Sequence, residues 1–422
     1  MTPNRLDRKP HPRLPTTTLV LVVTAVLSTG WLGAEEAIRD DWPQFRGQER
    51  DGVARDTLLA ESWPEAGPPE LWRRPLGEGF SGISAVGDRL YTLDARGEVE
   101  FALALDAETG EELWRCPIDR TFQNEFGNGP RSTPTVVGGV VYVLGSHGRL
   151  YALDAETGGQ LWEVDLAAEF GGEVPRWGFA PSPLVEGDRV LVEAGGLPGQ
   201  AIVALDRETG ELRWQTEEGA ASYSSPILAD LHGQRQAIFL RRNGPEVLAV
   251  EPATGEVLWR HSALPATVAI PLFVPPDRLL LTAGDDAGAK LLEIGPEGEV
   301  EEVWAERTLR SYVNGVVLVG DHLYGFDNAT LRAVAVADGE LAWARRGFGK
   351  GSLIVAENDL IVLGDRGVLA RVEATPEAYR EKGRFQALEG KTWTAPTLAH
   401  GRLYLRDHDE IVAFDLRPAA TE

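Results

Sequence analysis

One phrase recurs through this chain and limits what it can become. ALDAETGEELW at 104–114 returns as ALDAETGGQLW at 152–162, as ALDRETGELRW at 204–214 and as AVEPATGEVLW at 249–259. The shared pattern is A-x-[DE]-x-x-T-G-x-x-x-W. Self-similarity at a period of roughly 40–50 residues marks a repeat architecture, in which each unit buries its faces only against its neighbours.

The segment 131–162 shows what one unit is. Runs rich in β-branched and aromatic residues at 132–137, 140–144, 149–154 and 160–164 are separated by Gly138-Gly139, by 145–148 and by 154–158. This spacing predicts four short antiparallel strands joined by tight turns. In the last turn the oxygens of Asp154 and Thr157 suit bonds to nearby backbone N–H groups, and Gly158 suits the left-handed conformation of a reversal. Trp162 then falls on the outermost strand, where its ring can cover the seam with the next unit. The same roles are expected of Asp106, Gly110 and Trp114, of Asp206, Gly210 and Trp214, and of Gly255 and Trp259. Four-stranded sheets of this size bury both faces when packed radially around a channel, so an all-β propeller is predicted.

Counting Trp anchors sets the number of blades. Degraded copies end at Trp304, after 295–298, and at Trp343, after Asp338-Gly339. A weaker copy at 368–373 leads to Arg384-Phe385 with no Trp. The last unit, 394–415, holds only three strands before the pattern stops. A fourth is available at 69–73, which contains Trp72. Eight blades closed by an N-terminal strand are therefore expected, with seven as the alternative if the seventh segment is irregular. Closure of that kind removes two exposed edges.

The domain reading is a signal peptide at 1–34, an N-terminal arm at 35–68 and one propeller domain at 69–418. Arg5, Arg8, Lys9 and Arg13 precede the apolar run 19–27, and small residues follow at 28–30 and 33–34. That is the layout of a cleaved secretory signal, and the run is short of the ~20 residues that a span prefers. No Cys follows it, so no lipoprotein signal is expected, and the mature protein is expected in the periplasm or outside the cell. The single Cys, Cys116, excludes an internal disulfide and is read as a packing residue. The stretch from Trp42 to Val53 is aromatic and punctuated by Pro and Gly. It is read either as a structural arm or as a lid or plug over one ring face. The formal net charge of −24 argues against nucleic acid and anionic membrane surfaces as partners. An apolar content of 43% is ample for a continuous core in one large domain of ~45 residues per blade.

The repeated phrase resembles the tryptophan-docking repeat of the pyrroloquinoline quinone (PQQ) dehydrogenase propellers and of their non-catalytic, BamB-like relatives. The opening Trp42-Pro43-Gln44-Phe45-Arg46-Gly47 and Asp51-Gly52 is similar to that of many exported proteins with PQQ-like repeats. The resemblance covers nearly all of the chain after the signal segment and implies the fold more sharply than the activity. It implies two function classes. A quinoprotein dehydrogenase acting on an alcohol or sugar would hold PQQ and Ca²⁺ at the channel mouth, with a carboxylate base and often a vicinal disulfide. The lone Cys rules out that disulfide, and no haem-attachment motif is present. The oxygens of Asn128, Glu173 and Asp285-Asp286 match no motif of those enzymes. The seven His residues show no metal-ligand spacing, so neither a catalytic residue nor a metal site is assigned.

The second class is a scaffold or binding propeller, without a cofactor, and this is the favoured reading. Segments just before each innermost strand should converge on one mouth of the channel. They carry Phe80, Arg131, Arg176, Trp177 and Tyr223 on one stretch of the chain, and Arg310, Tyr312, Lys350, Lys391 and Trp393 on the next. Aromatic and basic residues recur there in a chain that is otherwise acidic. A partner protein of the cell envelope, or a small anionic or sugar-like ligand, is expected at that mouth. The chain is expected to act as a monomer.

Overall fold

Strands of three to nine residues alternate with Gly-bearing turns from Glu70 to Asp415, and they pair with their neighbours in sequence. The computed structural model describes residue 1 and residues 40–55, 57–242, 244–265 and 268–418. The chain divides into two units, Met1–Glu36 and Ala37–Glu422, and the strands all belong to the second. The signal segment expected at 1–34 lies, but for Met1, outside the described residues. Among the described residues no helix is long and apolar enough to cross a membrane.

Eight antiparallel sheets form the blades of a propeller. In chain order the first seven occupy 84–120, 135–165, 184–216, 227–262, 272–306, 317–346 and 352–386. The eighth takes three strands from 397–415, and its outermost strand is Glu70–Pro75, paired antiparallel with Glu410–Asp415. The ring is therefore closed by a strand from the N-terminal side. Seven blades are excluded because the segment without a Trp forms a regular sheet, to which Val53–Ala54 adds a parallel fifth strand.

The repeated phrase is the seam between blades. Asp106 Oδ1 accepts Thr109 N at 2.7 Å and Thr109 Oγ1 at 2.9 Å, and Asp154 and Asp206 hold Thr157 and Thr209 in the same way. This fixes the turn so that the following Gly presents a bare Cα to the Trp of the preceding blade. A Cβ on Gly210, whose φ is +75°, would lie 2.9 Å from the Trp162 ring. The same Trp donates its Nε1–H to Arg207 O at 3.0 Å. Trp114 does this to Ala155 O and Trp214 to Pro252 O, both at 3.0 Å. Trp304 and Trp343 reach Val336 O and Thr375 O in the degraded repeats.

Trp72 completes the circle. It lies against Gly110 of the first blade and donates to Ala107 O at 3.2 Å. Trp259 departs from the rule and bonds Gln236 Oε1 of its own blade. In the seventh blade Gly383 stands at the register position of the Trp, and Phe385, two residues on, supplies the ring. It packs edge-on against Trp63 at 6.2 Å and lies over Gly67, so the N-terminal segment fills the weakest seam.

Each outermost strand slips its pairing by one residue next to the anchor position. The unpaired residues are Leu71, Leu113, Leu161 and Arg213, then Leu258, Val303, Ala342 and Lys382. A bulge twists an edge strand and blunts it against pairing with another chain. Cys116 lies on one of these strands, half-buried and without a disulfide.

Candidate functional site

The innermost strands are only three to five residues long, and the segments leading into them line the channel. Four lead-ins repeat a hydroxyl-and-proline pattern: Ser132-Thr133-Pro134, Ser182-Pro183, Ser225-Pro226 and Thr394-Ala395-Pro396. Their hydroxyls stitch one blade to the next. Gly82 N donates to Thr133 Oγ1 at 3.0 Å, Thr133 N to Ser182 Oγ at 3.0 Å, and Ser182 N to Ser225 Oγ at 2.9 Å. The prolines have no N–H, which leaves nearby carbonyls free for another donor.

That donor comes from the N-terminal arm. Asp41 Oδ1 accepts Gly87 N at 2.9 Å and lies 2.8 Å from His400 Nε2, at the turn end of two innermost strands. Trp42 exchanges two backbone bonds with Ala85, and Pro43 O accepts Val136 N. Farther on, Gly52 O accepts Val355 N, and Val53–Ala54 run parallel to Val355 and Ala356. A segment that touches the inner strands of blades one, two and seven and the lead-ins of three, four and six lies inside the channel. The arm is thus a plug within the ring, where the sequence suggested a structural arm or a lid or plug over one face.

The tip of the plug carries two arginines in left-handed backbone, Arg46 at φ 62° and Arg50 at φ 57°. Gly47 and Gly52 are required there: a Cβ would meet the Trp42 ring at 3.1 Å and Arg46 Nη2 at 2.6 Å. Arg50 is 2% exposed. Its Nε donates to Gln44 Oε1 at 2.8 Å and its Nη1 to Pro226 O at 2.7 Å and Ser182 O at 3.2 Å, while Nη2 donates to Pro183 O. Burial lowers its pKa to about 9. Arg46, also 2% exposed, is held only through Nη2, which donates to Val316 O at 2.8 Å and Asp51 O at 3.1 Å. Its Nε and Nη1 have no partner among the described residues. Burial lowers its pKa to about 10 against the opposing pull of Asp51.

Above the plug lies a cavity of about 190 Å³ with Trp42, Phe45 and Arg46 among its lining residues. Six of the ten residues expected at the mouth line it: Phe80, Arg131, Trp177, Tyr223, Tyr312 and Trp393. Five rings from five lead-ins form a continuous arc. Tyr223 lies 4.7 Å from Trp177, Trp177 6.1 Å from Phe126, Phe126 6.2 Å from Trp393, and Trp393 stacks on Phe80 at 5.6 Å.

Cations sit over these rings. Arg131 lies 5.4 Å from the Phe80 centroid and 5.0 Å from that of Phe122, and burial lowers its pKa to about 10. Lys391 lies 4.6 Å over Trp393 and donates to Phe126 O at 2.6 Å. Lys350 lies 4.5 Å over Tyr312, and Arg242 lies 4.9 Å over Tyr223 and donates to its hydroxyl at 2.8 Å. Lys350 and Lys391 therefore border the cavity's aromatic wall without lining the cavity.

The remaining two expected residues are drawn elsewhere. Arg176 is exposed and pairs with Glu125 at 3.0 Å. Arg310 does not line the cavity; its Nη2 binds Asp327 at 3.0 Å, and Arg332 holds the same carboxylate. Phe126, Arg46 and Arg242 were missed by sequence reasoning. Phe126 had a signal, an aromatic ring in the Gly-rich lead-in of the second blade.

The oxygens weighed as metal ligands are not brought together. Asn128 donates to Glu78 Oε2 at 3.0 Å, Asp286 pairs with Arg307 at 2.6 Å, and Glu173 is exposed. Among the described residues no Asp, Glu or His lines the cavity, so its described walls offer neither a carboxylate base nor carboxylate ligands for Ca²⁺. These residues do not fit the PQQ–Ca²⁺ site of a dehydrogenase.

The profile of the family described as outer membrane protein assembly factor BamB, with PQQ-like repeats, matches residues 64–146 and 102–345. The chain belongs to that family. Outer membrane protein assembly factor BamB of Burkholderia pseudomallei (strain K96243) is 30% identical over 219 residues. That match spans 50% of this chain and 50% of the relative. BamB from Moraxella catarrhalis superposes with a TM-score of 0.61 at 18% identity, covering 85% of this chain and 100% of that one. Quinohemoprotein alcohol dehydrogenase from Comamonas testosteroni gives 0.63 at 13% identity, covering 91% and 82%. At such identities both structures speak for a shared ring and not for a shared activity.

Proposed function

We propose that this protein is a non-catalytic binding propeller of the cell envelope that engages a partner protein through the plugged mouth of its channel. The observation that carries this reading is the mouth itself: an aromatic cup, rimmed by cations, floored by the protein's own arm and lined by no carboxylate among the described residues. Rigid faces with exposed aromatic anchors suit protein recognition. The name of its relatives, an outer membrane protein assembly factor, supports a partner in the envelope. So does the apolar run at 19–27.

The test is a site-specific photo-crosslinker introduced at Phe126, on the rim, and at Leu161, exposed on an outermost strand. A discrete adduct from Phe126 and none from Leu161 is expected in cells. Equal labelling at both sites, or none at Phe126, would overturn the reading. Titration of the purified chain with PQQ and Ca²⁺ is the second arm. Calcium-dependent stabilisation together with dye-linked alcohol oxidation would replace the binding reading with the enzymatic one.

A further inference from the structure

Three observations at the mouth point in one direction. The first is size. Cofactor and small-molecule sites run to about 300–1,000 Å³, and a cavity of about 190 Å³ is closer to one large side chain. The second is the wall. The arc from Tyr223 to Phe80 presents ring faces and edges at centroid spacings of 4.7–6.2 Å, the range in which a further ring stacks or packs edge-on.

The third is charge. The chain has 65 acidic and 41 basic side chains. Yet the side-chain nitrogens of Arg131, Arg242, Lys350 and Lys391 form no ion pair within 4.0 Å among the described residues, although Asp365 Oδ2 accepts Lys350 N at 2.9 Å. The nearby acids are already engaged: Glu125 by Arg176, Glu78 by Asn128, Asp365 by Lys350 N, and Glu100, the acid nearest in effect to Arg131, by Phe122 N and Ser146 N. In the floor, the fully buried guanidinium of Arg46 leaves Nε and Nη1 without a partner among the described residues.

We infer that the cup receives one aromatic side chain of a partner, presented on a segment whose flanking Asp or Glu residues meet Lys350, Lys391 and Arg242. The inference rests on the binding reading above and specifies the partner's surface: acidic, with a single aromatic anchor. The cations already over Tyr312, Trp393 and Tyr223 are positioned before the guest arrives, which lowers the ordering cost of binding.

The experiment uses the full chain and four fluorescein-labelled nonapeptides, read by anisotropy. The probes have a central Phe flanked by Asp, by Asn or by Lys, and a central Ala flanked by Asp. The Asp-flanked Phe probe should bind at least roughly tenfold more tightly than the Ala-centred and Lys-flanked probes, the Asn-flanked probe should fall between, and binding should weaken as salt is raised. The exposed double variant Lys350→Ala/Lys391→Ala should lose most of the preference for Asp over Asn while keeping the preference for Phe over Ala. Equal binding of all probes, tighter binding of the Lys-flanked probe, or no change in the double variant would overturn the inference. A Phe126 adduct mapped to a basic or non-aromatic partner segment would also overturn it and leave the binding reading standing. Loss of the Phe126 adduct itself defeats the binding reading.

Discussion

The outer seams and the channel mouth use the same residue types to different ends. At a seam, a Trp is buried against a glycine and donates to a backbone carbonyl of the next blade, as Trp162 does to Arg207 O. At the mouth, Trp177 and Trp393 are only partly buried, their neighbours are other rings, and Trp177 Nε1 finds no partner. A satisfied, enclosed indole is an architectural part. An open indole beside unpaired cations is a surface awaiting contact. The two arginines of the plug repeat the contrast: Arg50 is saturated by three carbonyls of two blades and by its own arm, whereas Arg46 leaves Nε and Nη1 without a partner among the described residues.

The comparison breaks first at Trp162. Trp162→Ala should cost about 3–5 kcal/mol, as for other buried aromatics, read as a shift in the denaturant midpoint. A loss under about 1 kcal/mol would mean that the ring is not seated on Gly210. Next comes Arg50→Ala, expected to cost about 3 kcal/mol because charge-assisted bonds to several buried carbonyls are lost together. Arg46→Ala should cost clearly less. Equal losses in the same unfolding assay would erase the distinction between the two arginines.

The seam turns should also show in the pH dependence of melting. Asp206 is held at about pKa 2, first by its bond from Arg213 and then by the backbone N–H groups of Thr209 and Glu208. Asp106 and Asp154 are lowered by the same Thr bonds. An unfolded Asp titrates near about 3.9. The contribution of Asp206 is therefore complete above about pH 4 and is lost as pH falls through about 2. Asp206→Asn should flatten the fall in Tm between pH 5 and 2; an unchanged slope would remove the turn carboxylate from the stability argument. The smallest effect on folding is expected at the mouth. Phe126→Ala should change stability by no more than about 0.5 kcal/mol and weaken the Asp-flanked Phe probe by roughly tenfold.

Much of the ring was readable because it repeats. The Asp–Thr–Gly–Trp spacing encodes a local turn and one contact to an adjacent unit, so each copy carries its own instructions. Phe385 shows the limit: it breaks the pattern in sequence, and the repair by Trp63 and Gly67 comes from more than 300 residues away, beyond the reach of any periodicity. The mouth was partly readable, since aromatic and basic residues recur in the lead-ins. Arg310 was misplaced because nothing local distinguishes a cation facing the channel from one claimed by Asp327.

The sequence by itself determined the propeller, its blade count within one, and the identity of its seams, because those depend on contacts between neighbouring copies of one motif. Only the tertiary structure decided that the segment around Trp42 to Gly52 is a plug, that Arg46 and Phe45 border a cavity with Trp393, and that Lys391 reaches across to Phe126. Those contacts join residues brought together by closure of the whole circle. No single repeat contains the geometry of the channel that all eight create.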